Sequence, residues 1–135
     1  NLERLMVDST QISSMDLSNN TLLEQMRIGY NTNLTSLDLT NNVVLSGLSV
    51  PSTGLTGTFV VQFNVNLNMI DVTNNPGITS LHIGSSINLN NLSLFASGLS
   101  SSATIKVGSS ARVTLANSLF TVANGSISAG TTFIV

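Results

Sequence analysis

Apolar residues recur along the chain in one pattern, apolar-x-x-apolar-x-apolar, which returns at steps of about 11 residues. The clear instances begin at Leu2, Ile12, Leu23, Leu34, Leu45, Leu67, Ile78 and Leu89, and a degenerate one begins at Leu55. Alternation of apolar and polar residues favours a short strand in each instance, and the bounding Asn, Gly and Ser residues argue against helices. A pattern at fixed spacing is typical of a solenoid, in which each repeat stacks on the previous one.

Two versions of the pattern alternate. One carries Asp between its last two apolar residues and ends in Asn-Asn, at residues 12–20, 34–42 and 67–75; the other is typified by residues 23–33 and 78–88. A full turn therefore takes two patterns, or about 22 residues, with one short strand on each side. We predict an all-β, right-handed parallel solenoid with little or no helix over residues 1–100.

The pattern breaks twice. Near residues 51–66 the register slips, and two interpretations are open: an 11-residue insertion that protrudes around residues 55–66, or a half-turn with degenerate sequence. After residue 100 the apolar pairs come closer together, with Gly and Asn-Gly as turn signals. Residues 101–135 are therefore predicted to form a β-rich C-terminal cap or a short β-coil segment.

Small hydrogen-bonding residues stand three positions after each pattern, where the backbone of a coil must turn and leave its polar groups unpaired. One set follows the version of the pattern that carries Asp, and the other set follows the second version. The two sets are Asn20, Asn42, Asn75 and Ser97, and Thr10, Asn31, Thr53 and Ser86. We interpret them as two structural ladders along the corners of the solenoid.

A family resemblance follows from these residues. The spacing Leu-x-x-Leu-x-Leu-x-x-Asn resembles the leucine-rich-repeat signature, and the short Leu-Asp-Leu-Ser/Thr-Asn-Asn phrases look like bacterial surface leucine-rich repeats of the internalin and Bacteroidetes type. The resemblance covers residues 1 to about 100 and implies a parallel solenoid used for adhesion or protein binding, without catalytic residues. The strand-like return side departs from ordinary leucine-rich repeats.

Three aspartates, Asp16, Asp38 and Asp71, are predicted to share one outward column. Neighbouring turns lie about 4.8 Å apart, so carboxylates stacked at that spacing repel unless hydrogen bonds or a cation offset the repulsion. Two roles are open: a structural one, with nearby Ser and Thr as donors, or a Ca²⁺ site built from carboxylate and carbonyl oxygens.

The opposite face varies most from turn to turn, and solenoids place recognition on such variable surfaces. We predict that Met6, Arg27, Ser49 and His82 form one outward column, flanked by Arg4, Gln25, Gly47 and Ser80, with Tyr30 near the rim. The predicted binding face comprises Arg4, Met6, Gln25, Arg27, Tyr30, Ser49, Ser80 and His82.

The amino-acid composition excludes several classes of function. Only four residues are basic and the net charge is −2, so a basic surface for nucleic acid is missing. Cysteine is absent, which excludes disulfides and thiolate metal sites. No apolar run reaches the length of a membrane span. With one histidine and no Gly-x-Ser-x-Gly motif, neither a cofactor nor an enzymatic activity is expected.

We expect a non-catalytic binding or adhesion module of an exported bacterial surface protein, secreted or held at the cell surface, whose ligand is a protein or a glycan. The alternative is a structural virion protein, such as a phage fibre or decoration protein, or a filament subunit that stacks end to end. A homo-oligomer fits either class. Because Asn1 stands within a repeat, sequence is expected upstream of it.

Overall fold

Residues 1–84 are described in full by the computed structural model, together with the backbone of four later strands. The strands in the described part of the chain are, in order, β1 (Arg4–Met6), β2 (Gln25–Arg27), β3 (Gly47–Ser49), β4 (Gly57–Val61), β5 (Met69–Asp71), β6 (Ile78–Ile83), β7 (Ser93–Phe95), β8 (Thr104–Val107), β9 (Thr121–Val122) and β10 (Thr132–Ile134). The described residues contain no helix, and therefore none long and apolar enough to cross a membrane.

Two parallel sheets form the sides of the molecule. The larger has six strands in the order β1-β2-β3-β5-β7-β9, and the smaller has four in the order β10-β8-β6-β4. Every pairing is parallel, and each partner lies one turn further along the chain. This stack of about four turns confirms the predicted all-β parallel solenoid.

Each of the strands β2, β3 and β5 sends its middle residue into the core, as the apolar spacing predicts. Met26, Leu48 and Ile70 lie in register on successive strands and are at most 3% exposed. Leu81 packs into the same core from the four-stranded side at 0% exposure. Full burial of one such side chain contributes roughly 1.5 to 3 kcal/mol, so the stacked column is the main source of cohesion.

The irregular stretch at residues 55–66 is a half-turn and not an insertion. Leu55, Phe59 and Val61 are buried in the core, and β4 pairs with β6 in the four-stranded sheet. Because this half-turn is present, the Asp-containing phrase that begins at Leu67 falls on the six-stranded side, whereas the earlier phrases at Ile12 and Leu34 lie on the return side.

The return side of the first two turns differs from the prediction of one strand on each side. Residues 12–17 and 34–39 are not strands, although Leu17, Leu34 and Leu39 are buried. Met15 and Leu37 are only half-buried and pack against the edge of the core. Apolar side chains thus anchor these segments without a backbone ladder.

Each turn bends out of the six-stranded sheet at a residue with left-handed backbone geometry. Ser9, Tyr30, Ser52 and Asn74 have φ between 54° and 59° and recur once in each turn. The N–H groups of the first three donate to carbonyls of the next turn, at Gly29, Pro51 and Thr73. The left-handed residue thereby turns the chain while its N–H stays hydrogen-bonded.

The two sheets continue across residue 100. β8 and β10 extend the four-stranded sheet, and β9 extends the six-stranded one. Ile105, within the predicted C-terminal segment, is fully buried. The remainder of residues 101–135 lies outside the described part of the chain.

Candidate binding face

The outer face of the six-stranded sheet carries two columns of outward residues. In strands β1, β2, β3 and β5, the first residues form one column, Arg4, Gln25, Gly47 and Met69, and the last residues form the other, Met6, Arg27, Ser49 and Asp71. These eight residues are called the outer face below.

A depression lies at the centre of the outer face. It measures about 320 Å³ and is lined chiefly by Met6, Gln25, Arg27, Gly47, Ser49 and Met69. Its cause is local: β3 contributes Gly and Ser to the two columns, whereas the strands on either side contribute longer side chains. Two thioethers and one guanidinium therefore stand around a floor of small residues.

Arg27 forms an ion pair across the turns. Its Nε lies 2.6 Å from an Asp8 carboxylate oxygen, and the Arg27 side chain remains 55% exposed. The other Asp8 oxygen accepts a hydrogen bond from the Gly29 N–H at 2.8 Å. The hydrogen bond from the Gly29 N–H thus fixes the Asp8 carboxylate, and this carboxylate orients the Arg27 guanidinium at the rim of the depression.

Asp71 stands at the other end of the same column. Its Oδ1 accepts hydrogen bonds from the Thr73 N–H at 3.1 Å and the Thr73 hydroxyl at 2.8 Å, and its Oδ2 accepts one from the Ser49 hydroxyl at 3.2 Å. These three donors hold the half-buried carboxylate in one orientation. The outer face therefore carries a fixed positive group and a fixed negative group with neutral residues between them.

The structure corrects two predicted columns. His82 and Ser80 belong to β6 on the four-stranded sheet, where His82 lies between Val60 and Lys106 in register, and so they do not join Met6, Arg27 and Ser49. Asp71 takes the expected place of His82 beside Ser49. The half-turn at residues 55–66 is the reason, because it shifts every later phrase to the opposite side.

The other predicted face residues share one side of the molecule. Arg4, Met6, Gln25, Arg27 and Ser49 lie on the outer face. Tyr30 is 55% exposed at the adjoining corner. Met69 and Asp71 were missed, because the phrase that contains them was assigned to the return side.

Asp16 and Asp38 remain neighbours on the return side, without the third aspartate. The Ser18 hydroxyl, followed by its N–H, holds the pKa of Asp16 below its ordinary value, and the Thr40 hydroxyl and N–H do the same for the pKa of Asp38. No group of three possible metal ligands occurs in the described residues. Asp71 lies in β5 of the six-stranded sheet, so the three aspartates do not share the predicted column, and Ser and Thr donors stabilise Asp16 and Asp38 locally.

The first corner ladder consists of Thr and Asn in alternate turns. Asn31 Nδ2 donates to three carbonyls, those of Val7, Ile28 and Gly29, and its Oδ1 accepts from the N–H and hydroxyl of Thr10. Two turns later the same set of bonds recurs. Asn75 donates to the carbonyls of Val50, Val72 and Thr73 and accepts from Thr53.

The second ladder runs through Asn20, Asn42 and Asn64. Asn42 Nδ2 donates to the Leu17 and Asn20 carbonyls, and Asn64 Nδ2 donates to the Leu39 and Asn42 carbonyls. Asn64 was absent from the predicted ladders, and Asn75 was assigned to the wrong one. The recurrence of Asn one full turn after Asn42 was the available signal for Asn64.

Burial separates the ladders from the outer face. Asn31, Asn42, Asn64 and Asn75 are at most 1% exposed, and their Nδ2 groups donate to backbone carbonyls, so these amides are closed to a ligand. Ser86 and Ser97, the last predicted members, lie outside the described residues.

Comparison of the chain with protein-family models, with curated proteins and with solved structures gives no match in any of the three. The resemblance to bacterial surface leucine-rich repeats therefore stays a prediction from the residues alone.

Proposed function

We propose that the chain is a non-catalytic binding module that holds a protein or glycan ligand against the depression on the outer face. The observation that carries the proposal is the depression itself, an indentation around Gly47 that exists because two small residues face outward between longer ones. A concave patch with a few placed polar groups is the usual form of a recognition site.

The surroundings of the depression suit recognition. Backbone groups of the sheet are bonded between turns, so the floor is rigid and little ordering entropy is lost on binding. Met6 is 69% exposed and Met69 lines the opposite wall. Methionine side chains adapt to irregular apolar surfaces, and arginine is a frequent energetic anchor of interfaces.

The wider biological setting is proposed on the residues alone. The Asn-Asn phrases, the absence of cysteine and the scarcity of charge fit a module of an exported bacterial surface protein, in which adhesion is the role.

A display library of random peptides and a glycan array, both screened with the purified chain, test this function. Gly47→Tyr fills the depression, and a side chain is tolerated there because a Cβ would meet its nearest neighbours, Gln25 Cγ and Met69 Cε, at an ordinary 3.8 Å. Thr58→Tyr, an exposed position on the four-stranded sheet, is the matched control. We expect Gly47→Tyr to weaken binding about tenfold or more, which corresponds to about 1.4 kcal/mol, while Thr58→Tyr leaves it unchanged.

Equal binding by the wild type and Gly47→Tyr, with both proteins folded by thermal melting, contradicts the proposal.

A further inference from the structure

We propose, resting on the binding function above, that the ligand is a protein segment that presents an acidic group to Arg27 and a basic group to Asp71, with an apolar side chain between them. The two charged residues are in register through Ser49, two strand steps apart. At about 4.8 Å per step, their Cα atoms are separated by about 10 Å.

Arg27 is prepared to receive a carboxylate. Its guanidinium carries five N–H donors, and the ion pair to Asp8 engages Nε, while more than half of the side chain remains exposed to solvent. Since Asp8 is itself anchored on the Gly29 N–H, the orientation of the arginine is set before a ligand arrives. An ordered guanidinium favours a planar anion such as a carboxylate.

Asp71 carries the opposite charge, and hydrogen bonds fix the orientation of its carboxylate before a ligand binds. Thr73 and Ser49 donate to its two oxygens, yet a carboxylate has about four acceptor sites, so capacity for an ammonium or guanidinium group remains. The side chain is half-buried rather than enclosed. A basic group above it therefore finds an acceptor that does not need to reorganise.

The space between the two charges is uncharged. No Asp, Glu, Lys or Arg occurs anywhere from residue 39 to residue 70, and the depression at Gly47 and Ser49 lies beside the column. An apolar side chain placed there contacts Met6 and Met69. The arrangement is thus positive, neutral and negative in sequence along the solenoid axis.

Charge complementarity favours a protein over other ligands. A phosphate backbone is attracted by Arg27 but repelled by Asp71, and a neutral glycan gains nothing from either charge. A protein segment readily presents an acid, an apolar group and a base over the distance between the two charges. Residues on one face of an extended chain recur at about 6.7 Å, and successive turns of a helix recur at about 5.4 Å.

The test uses random 12-residue peptides displayed on phage, selected on the wild-type chain and counter-selected on Gly47→Tyr. Binding of the best synthetic peptide is then measured by fluorescence anisotropy against Arg27→Gln and Asp71→Asn. Asp71→Asn keeps a side-chain oxygen that accepts the hydrogen bonds from Thr73. Arg27→Lys keeps the positive charge and is the second variant to use if Arg27→Gln fails to fold. We expect each neutral variant to weaken binding about tenfold, and Arg27→Lys to weaken it less than Arg27→Gln, because lysine keeps the charge but not the planar guanidinium.

A double-mutant cycle assigns the partners. Replacing the acidic residue of the peptide by its amide should cost binding to the wild type but nothing further on Arg27→Gln, and the basic residue should couple to Asp71 in the same way.

The outcomes separate the two proposals. Peptides that depend on Gly47 but bind Arg27→Gln and Asp71→Asn as tightly as the wild type overturn the charge assignment and leave the binding function standing. An acidic glycan that depends on Arg27 but not on Asp71 overturns the protein ligand. If no peptide and no glycan binds the wild type more tightly than Gly47→Tyr, both proposals are overturned.

Discussion

At the scale of single residues, the position of an asparagine relative to the corner decides what it does. Asn64 is 1% exposed and donates to two carbonyls, those of Leu39 and Asn42, both at 2.9 Å. Asn66, two residues further on, is exposed and donates once, to the Val43 carbonyl at 3.2 Å. The same side chain is therefore a structural element at one position and a surface group at the other.

Replacing Asn64 with Ala should destabilise the fold by about 1 to 3 kcal/mol, because the buried Leu39 and Asn42 carbonyls each lose one of two donors and keep only a backbone N–H. Replacing Asn66 with Ala should cost less than about 0.5 kcal/mol, because water replaces an exposed partner. Urea unfolding of both variants measures the difference. Equal midpoints for the two variants would contradict the second ladder.

Asp16 and Asp38 give the stability of the chain a dependence on acidity. Their pKa values are lowered in the folded state by the hydroxyl and N–H groups of Ser18 and Thr40. A lowered folded pKa means that the contribution to stability is present above the unfolded value of about 3.9 and is lost as the pH falls through the folded value.

The melting temperature should therefore decline as the pH is lowered from about 5 to 2. The double variant Asp16→Asn, Asp38→Asn should show a smaller decline over the same range, because neither amide titrates. Thermal melts at a series of pH values provide the measurement. An identical slope for the wild type and the double variant would show that these hydrogen bonds do not favour the charged carboxylates.

At the scale of elements, the repeated phrase specifies a corner of the coil but does not determine on which side of the solenoid that corner lies. The Asp-Leu-Thr-Asn-Asn ending at Asn42 closes a return segment without strand structure, whereas Asp-Val-Thr-Asn-Asn at Asn75 follows β5 of the six-stranded sheet. In both, Asp accepts from the residue two positions on, and the last Asn bonds to corner carbonyls. The phrase is therefore local chemistry that works on either side of a coil.

This distinction explains what the sequence could predict. The period, the core positions and the parallel stacking follow from the apolar spacing, since Leu23, Leu48 and Ile70 occupy the positions that the pattern assigns them. The side assignment of the last two phrases did not follow, because the half-turn that contains Phe59 and Val61 lacks the recurring Asp and keeps only one Asn of the pair, Asn64. The outer face was accordingly predicted with Ser80 and His82 in place of Met69 and Asp71.

Close contact between turns makes certain glycines necessary for stacking. A Cβ at Gly54 would lie 2.1 Å from the Thr32 carbonyl oxygen, which is backbone and has little freedom to move away. Gly54→Ala should therefore force adjacent turns apart and destabilise the chain by about 3 kcal/mol or more.

Gly47→Ala is the matched control, because its Cβ would meet only ordinary contacts. Alanine in a strand removes the conformational entropy penalty of glycine, so a gain of about 0.5 kcal/mol is expected. Chemical denaturation of both variants decides the point. A Gly54→Ala protein as stable as Gly47→Ala would show that the turns are free to separate without loss.

At the scale of the whole molecule, apolar stacking and hydrogen bonds provide the cohesion, and charge contributes little. The chain has only four basic and six acidic residues, and the described residues contain one ion pair, between Arg27 and Asp8, which is partly exposed. Exposed ion pairs are typically worth less than about 1 kcal/mol. Screening of charges by salt should therefore change the stability of the fold very little.

The melting temperature should change by no more than about 2 °C between about 20 and about 500 mM sodium chloride, because salt screens exposed charges and leaves the stacked core unaffected. Differential scanning calorimetry at several concentrations provides the measurement, with Arg27→Gln as the control that removes the one ion pair of the described residues. A steep dependence on salt in the wild type, lost in Arg27→Gln, would show that the ion pair contributes far more to stability than an exposed pair usually does.

The alternation of Thr and Asn in the first corner ladder joins the turns two by two. Side-chain bonds link Thr10 to Asn31 and Thr53 to Asn75, and within residues 1–84 no ladder bond joins Asn31 to Thr53. Equivalent residues thus recur after two turns rather than one. Gene duplication or engineered lengthening that copies a pair of turns preserves every donor and acceptor, whereas copying a single turn sets two threonines or two asparagines side by side. Within residues 1–84, the boundary between the second and third turns has the fewest side-chain cross-links at this corner, so under a pulling force it should part before the boundaries on either side of it.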